Sequence, residues 1–397
     1  MRILICHVAY RTRGGEDVVV DTESTLLRDA GHDVEVVNPQ SEEFDALPMA
    51  TKMRIAASRG DHPYGRQLVA DAIQRFDPDI VHFHNLYPNF GWGAMAEAAD
   101  RGCGVVQTLH NYRLSCLNGL HFLMDEGVIC ERCRPGDFGP GIARGCYRGS
   151  RAQSAVMARW LTGQWNLLRR RRVPHMSLAI SDFQRDRLVA DGLDPRLIRV
   201  KVNCVPRLQQ HADRKGVSER GGVVFVGRAS REKGALELVE AWPLDAPHLT
   251  LAGDGPLVSR LTAMAGRNVS VVGAVSRHQV LTMVEAALVL AAPSLCLEGA
   301  APLTVLEGMA RGTPPVVFAG GAAEHVAEQV SPECVATRGS FGNFVQRCLD
   351  ICRSSDWASL SGRSIQVIDH GFAASREIAG LASAYDEAAA ARRRMPA

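Results

Sequence analysis

No stretch of this 397-residue sequence reaches the roughly 18 to 20 uninterrupted apolar residues that a spanning helix needs, so a helical integral membrane protein is not expected. An excess of either charge is lacking too. The formal net charge is +2, which gives no bulk drive toward nucleic acid or membrane. There is no basic surface interleaved with aromatics and no nucleic-acid-binding module, so nucleic acid is not an expected partner. The opening Met1-Arg2-Ile3-Leu4-Ile5-Cys6-His7-Val8 is too short for the apolar core of a secretory signal and lacks a small-residue cleavage site. It reads as a first buried strand, and a cytoplasmic location is expected. No internal repeat appears beyond a strand-helix alternation, and nothing signals an oligomeric state.

What is there is ordinary globular chemistry, 46% hydrophobic and 22% charged. The length is too great for one ordinary hydrophobic core and suits two domains of roughly 150 to 200 residues. Short β-branched runs at 3–8, 34–37, 80–83, 105–109 and 178–181 alternate with longer amphipathic stretches, as buried parallel strands and their helices do. A second series at 223–226, 249–252, 269–272, 288–292 and 315–318 repeats the alternation, each run closed by a Gly- or Pro-marked turn. The expected fold class is α/β, with two Rossmann-like doubly wound domains facing an interdomain cleft. Between 204 and 222 the periodicity fails, and Pro206, Gln209, Gln210, Asp213, Arg214, Lys215 and Gly216 mark a linker. The expected domains are 1–205, with a Cys-rich insert at 114–150, then 206–371, then a long terminal helix within 372–397 favoured by its Ala, Leu, Ile and Glu content.

The most informative stretch is Val226-Gly227-Arg228-Ala229-Ser230-Arg231-Glu232-Lys233-Gly234, just past an expected strand end. Open α/β sheets bind ligands outside the carboxyl ends of their strands, which is where Arg228 and Lys233 fall. A guanidinium fork holds two phosphate oxygens while an ammonium neutralises the remainder, so the pair suits a diphosphate leaving group. Alone, the two cations also fit a solvated loop. The next strand end carries Gly253-Asp254-Gly255-Pro256, either a plain turn or one that lies under a base or ribose. Farther on, Glu298-Gly299-Ala300-Ala301-Pro302-Leu303-Thr304-Val305-Leu306-Glu307 places two carboxylates in a Gly-rich loop that runs into a helix. Carboxylates accept hydrogen bonds from paired hydroxyls, and a helix N-terminus favours anions, so the set fits a nucleotide sugar.

In the first half, Arg13-Gly14-Gly15-Glu16 follows the first strand and opens a helix, presenting backbone N–H groups at the sheet edge. It lacks the full G-x-G-x-x-G fingerprint, which disfavours a dinucleotide cofactor. Two further strand ends carry Asp79-Ile80-Val81-His82-Phe83-His84-Asn85 and Thr108-Leu109-His110-Asn111-Tyr112-Arg113. Strand alternation puts His82 and His84 on one face.

These segments resemble the motifs of family 4 glycosyltransferases, also described as glycosyl transferases group 1, over nearly the whole chain and most closely at 223–325. The resemblance implies the GT-B architecture, a nucleotide-diphosphate sugar as donor, and retaining transfer with no obligatory catalytic metal. It implies that Arg228 and Lys233 hold the departing diphosphate, that Glu298 contacts the donor sugar and Glu307 the ribose, and that His110 lines the donor-sugar side. Gly14, Gly15, Gly227, Gly253, Gly299, Leu303 and Thr304 would complete the donor site. It implies also that the terminal helix returns to the first domain. Here there are eight residues between Glu298 and Glu307, one more than the family pattern, and the helix match from Pro302 onward places the extra residue at 299–301. A sugar-nucleotide epimerase of the same architecture and an inactive nucleotide-sugar-binding protein are the alternative readings. The acceptor classes that fit are a saccharide, a lipid-linked saccharide or a natural-product aglycone, with polysaccharide or lipid-linked saccharide assembly first and the aglycone second.

Cys116, Cys130, Cys133 and Cys146 are spaced C-x13-C-x2-C-x12-C amid Gly, Pro, Asp and Arg, a stretch with little core of its own. Tetrahedral thiolate coordination of a structural zinc would supply one, with reduced thiols and disulfides as the other states. Arg169, Arg170, Arg171 and Arg172 follow Trp160, Trp165, Leu167 and Leu168. That segment fits either a solvated Arg run at a helix C-terminus or a peripheral contact with anionic lipid at the inner membrane face.

Overall fold

The computed structural model describes residues 1–10, 14–205 and 216–393, so Arg13, the linker positions Pro206, Gln209, Gln210, Asp213, Arg214 and Lys215, and the tail from Arg394 lie outside the described residues. The chain divides into two compact units. The first comprises Met1–Leu120, Glu131–Asn203 and Ala374–Ala397, and the second comprises His121–Cys130 and Cys204–Ala373.

The strands of the first half are β1 (Arg2–Cys6), β2 (Asp33–Val37), β3 (Ile80–Phe83), β4 (Gly104–Leu109), β5 (Phe122–Leu123), β6 (Val128–Ile129), β7 (Met176–Ala179) and β8 (Ile198–Val200). Those of the second half are β9 (Val223–Val226), β10 (Leu249–Ala252), β11 (Val269–Gly273), β12 (Val289–Ala292), β13 (Pro315–Phe318) and β14 (Val335–Ala336). The first unit's sheet has the order β2-β1-β3-β4-β7-β8 and the second unit's the order β11-β10-β9-β12-β13-β14, with every pairing parallel.

Both faces of each sheet are covered, which is why the strands read as continuous apolar runs. In β1 the alternation sends Leu4 and Cys6 into a core with Val81, Phe83 and Val105, closed by Val69, Phe76, Ala94, Met95 and Leu161 from helices. Ile3 and Ile5 point to the other face, against Val20 and Leu27 of helix Gly15–Asp29 and Leu381, Ala384, Tyr385 and Ala388 of helix Ala374–Arg392. The second unit has its own core around Val223, Phe225, Leu249, Leu290, Val316 and Phe318.

Strand order reverses between β1 and β3 in one sheet and between β9 and β12 in the other. Such reversals leave a crevice at the carboxyl ends of the strands, where ligands of doubly wound folds bind. The sequence reading put the whole Cys-rich insert in the first domain. The antiparallel hairpin β5–β6 instead belongs to the second unit, because Arg231 donates to the carbonyls of Met124 (2.8 Å) and Asp125 (2.5 Å) at its tip.

Candidate functional site

In the second unit, β9 ends at Val226 and the chain turns through Gly227 and Arg228 into the short helix Arg231–Lys233. Arg228 is exposed, and its guanidinium has no partner among the described residues. Gly227 and Gly253 are in close contact across neighbouring strand ends: a Cβ on Gly253 would lie 1.9 Å from the Gly227 carbonyl oxygen, and its φ of +140° also favours glycine. Gly234, at φ +68°, could carry no Cβ without meeting the Pro293 carbonyl oxygen at 2.2 Å. These approaches bring the β9 and β12 loops together.

There Lys233 Nζ donates to Glu298 Oε1 at 2.5 Å, and Ser294 Oγ donates to the same oxygen at 2.7 Å. Burial alone would lower the Lys233 pKa, but the neighbouring Glu298 raises it; burial would raise that of Glu298, but Lys233 and Ser294 hold it below the usual range. The pair is thus ionised across the neutral range. Helix Leu303–Ala310 follows, its first turn carrying Leu303 and Thr304, with Thr304 Oγ1 3.4 Å from the Val226 carbonyl oxygen. Glu307, one turn on, is buried and paired with Arg277 at 2.5 Å. Burial raises the Glu307 pKa, and Arg277 and Arg311 offset only part of that rise. Gly299 is buried in the loop between the glutamates. Arg228, Lys233, Glu298 and Glu307 therefore all lie at the carboxyl ends of β9 and β12 or on the helix that follows.

In the first unit, Gly14 caps helix Gly15–Asp29 and donates its N–H to Asp17 Oδ2 at 2.7 Å, while Asp17 Oδ1 lies 3.0 Å from His7 Nε2. Glu16 accepts from Tyr10 (2.8 Å) and Asn111 (3.2 Å). Two carboxylates thus stand at the positive end of this helix. The arrangement suits hydroxyls better than a phosphate. His110 follows β4 and lines a cavity of about 40 Å³ with Glu16, Asn85, Gln107, Asn111 and Arg113. Its Nε2 lies 2.8 Å from His84 Nδ1. His82 is fully buried between Tyr385 (2.9 Å) and Thr108 (2.8 Å), a structural position.

Two family models match the chain: Glycosyltransferase Family 4 over residues 13–206 and Glycosyl transferases group 1 over residues 220–354. The chain belongs to the family 4 glycosyltransferases. No curated protein sequence matches it. Solved structures similar to this glycosyltransferase include HepE of Anabaena in complex with UDP and glucose, at 17% identity and a TM-score of 0.63 over 96% of this chain and 98% of that one. Sucrose-phosphate synthase from Thermosynechococcus elongatus is 15% identical, with a TM-score of 0.66 over 98% and 100%. A glycosyltransferase from Rickettsia africae is 13% identical, with a TM-score of 0.66 over 98% of each chain. At these identities the structures establish the fold, which is GT-B.

Around these motif residues, the glycosyltransferase places groups that pattern reading missed. Glu23, Lys201 and Glu377 form a fully buried ion cluster in the first unit, Lys201 also donating to Asn203. One signal was available: Glu23 shares the inward helical phase of Val20 and Leu27. Among the described residues, Glu23, His82 and His84 are also a group of three whose donor atoms fall within 4.8 Å of one another. Of the four insert cysteines, Cys116, Cys133 and Cys146 lie in the first unit and Cys130 at the end of the hairpin; all are half-buried and none is in a disulfide.

The arginine run does not present an amphipathic apolar face. Trp160, Trp165, Leu167 and Leu168 are buried in the first unit, Arg169 lies 5.2 Å over the Trp165 ring, and Arg171 pairs with Asp100. Among the described residues no helix is long and apolar enough to cross a membrane.

Proposed function

We propose that this glycosyltransferase moves a sugar from a nucleotide-diphosphate donor to a saccharide, lipid-linked or natural-product acceptor with retention at the anomeric carbon. The observation that carries the reading is an unpartnered Arg228 in the loop after β9 together with the Lys233–Glu298 pair, where strand order reverses between β9 and β12. As the bond from the anomeric carbon to the diphosphate breaks, Arg228 and Lys233 take up the charge that develops on the leaving oxygens. The acceptor oxygen bonds to the same face of that carbon, and its proton passes to a diphosphate oxygen. Fixed positive charge of this kind supplies most of the acceleration in such a mechanism. Glu307 accepts from the ribose hydroxyls and Glu298 from the sugar. That HepE was crystallised with UDP and glucose favours a uridine donor.

Thermal-shift screening against UDP-, GDP- and dTDP-sugars, followed by transfer assays on the stabilising donor, tests this reading. Product without any acceptor would indicate an epimerase, and binding with neither transfer nor hydrolysis a catalytically silent binding protein.

The case for a structural zinc at the four insert cysteines rests on their number and the C-x2-C pair alone, since among the described residues the groups whose donor atoms come within 4.8 Å of one another include no cysteine. Zinc measured in the purified protein at one equivalent, and lost in Cys133→Ser, would support the site. Domain limits of 1–205, 206–371 and 372–397 belong to the same reading. With the apolar side of the arginine helix buried, membrane contact would be electrostatic, through Arg169 and Arg170. Co-sedimentation with anionic but not zwitterionic vesicles is the corresponding test.

A further inference from the structure

His110 stands at the half-exposed end of a line of largely buried polar groups. Its Nε2 lies 2.8 Å from His84 Nδ1, with the two rings stacked 5.1 Å apart. His84 Nε2 in turn faces Glu23 Oε2 at 3.4 Å, an ion-pair contact rather than a closed hydrogen bond, and neither atom has a hydrogen-bond partner among the described residues. The other carboxylate oxygen of Glu23 accepts from Lys201, whose remaining partners are Asn203 Oδ1 (2.9 Å) and Glu377 Oε1 (3.0 Å). The side chains of Glu23 and Lys201 are fully buried, and Glu377 and His84 are nearly so.

The direction of these hydrogen bonds follows from the fixed end. An ammonium has three donors and no acceptor, and here it meets three oxygens. It keeps Glu23 ionised, so Glu23 Oε2 can only accept. His84 Nε2 must then carry the proton. That leaves His84 Nδ1 with a lone pair, so the facing nitrogen of His110 must be the donor. His110 is thereby an Nε2–H imidazole whose Nδ1 keeps a lone pair. Burial, with the nearby His84 and Lys201, lowers the His110 pKa, which keeps the ring neutral.

We propose that Glu23 and His84 are positioning residues that fix the tautomer of His110, so that His110 Nδ1 accepts a hydrogen bond from a hydroxyl of the donor sugar. The inference rests on the reading of His110 as a donor-sugar residue. A metal ion at Glu23, His82 and His84 is the competing use of these groups. Two features oppose it: both ring nitrogens of His82 already have partners, and Lys201 already supplies the compensating cation.

Imidazole ¹⁵N spectra of the full chain, assigned with His84→Asn and His110→Asn, test the relay without relying on activity. Wild type should show His110 as the Nε2–H tautomer. In Glu23→Gln the carboxamide can donate to His84 Nε2, reversing each bond, and His110 should shift toward Nδ1–H. With its donor-sugar acceptor lost, that variant should transfer at least about tenfold more slowly, with donor KM little changed. An Nδ1–H or imidazolium His110 in wild type, an unchanged tautomer in Glu23→Gln, or a metal ion bound by Glu23 and His84 overturns the relay. If the tautomer reverses while transfer is unaffected, the catalytic use of the relay is overturned and the assignment of His110 falls with it.

Discussion

Lys233 and Glu298 are each partly exposed, so their ion pair adds only modestly to stability, and in the proposed role its weight would fall on the ligand. Lys233→Ala is expected to lower kcat by about 100-fold or more, the scale of losing one preorganised charge at a developing anion. The thermal midpoint should fall by only a few degrees, and parallel losses in both quantities would refute the assignment. Glu307 makes a different prediction. Its raised pKa means that acidification neutralises it before ordinary surface carboxylates, and a neutral carboxyl is a poorer acceptor for ribose hydroxyls. Donor KM should therefore climb on acidification before the ordinary carboxylate range is reached, while kcat at saturating donor stays flat; Glu307→Gln should start from a high KM and lose that slope. The motif residues were legible because each follows an apolar run or opens a helix, which fixes its place at a strand end. Lys201 and Glu23 were not: they are 178 positions apart, and only the folded sheet brings the ammonium to the carboxylate.

Elements separate along the same line. Strands with four or more consecutive apolar or β-branched residues were found within two residues of their expected limits, because burial on both faces demands that composition. β8 has Arg199 at its centre, β14 is two residues long, and the hairpin strands sit among exposed residues such as Met124 and Val128, so none carried a periodic signal. One side chain that grips the hairpin tip is Arg231, which lies in the same short helix as Lys233. One guanidinium serves two carbonyls there, a geometry that a lysine ammonium reproduces poorly. Arg231→Lys and Arg231→Ala should both speed amide exchange in 121–130, with the alanine faster. Exchange equal to wild type in both would show that other contacts fix the tip. At the neighbouring turn, Gly253→Ala puts a methyl against the Gly227 carbonyl, and a cost of about 3 kcal/mol or more in the stability of the second unit is expected.

At the scale of the whole molecule, the two units carry separate cores and differ in their titrating groups. His7, His62, His82, His110 and His175, whose pKa values burial lowers, all belong to the first unit. His62 Nδ1 accepts from the Gly65 N–H and His175 Nδ1 from the Val105 N–H, so protonating either ring removes an acceptor as well as burying a charge. For both, the pKa falls from the ordinary 6.5 to about 4. The sign follows directly. A histidine with a lowered folded-state pKa contributes its stability above 6.5 and loses it as pH falls toward 4, because the unfolded chain takes up the proton first. At about pH 5 these two residues together should cost the first unit roughly 4 kcal/mol. In the second unit the lowered pKa of Glu298 brings loss only below the ordinary carboxylate range, and the raised pKa of Glu307 acts in the opposite direction. Scanning calorimetry from pH 7.5 to 5 should thus resolve two transitions, one moving steeply down with acid and the other nearly still. A stabilising nucleotide sugar should raise the acid-insensitive transition. A single transition that shifts as one with pH would mean that the two cores unfold together, and the pH slope would then belong to the whole chain.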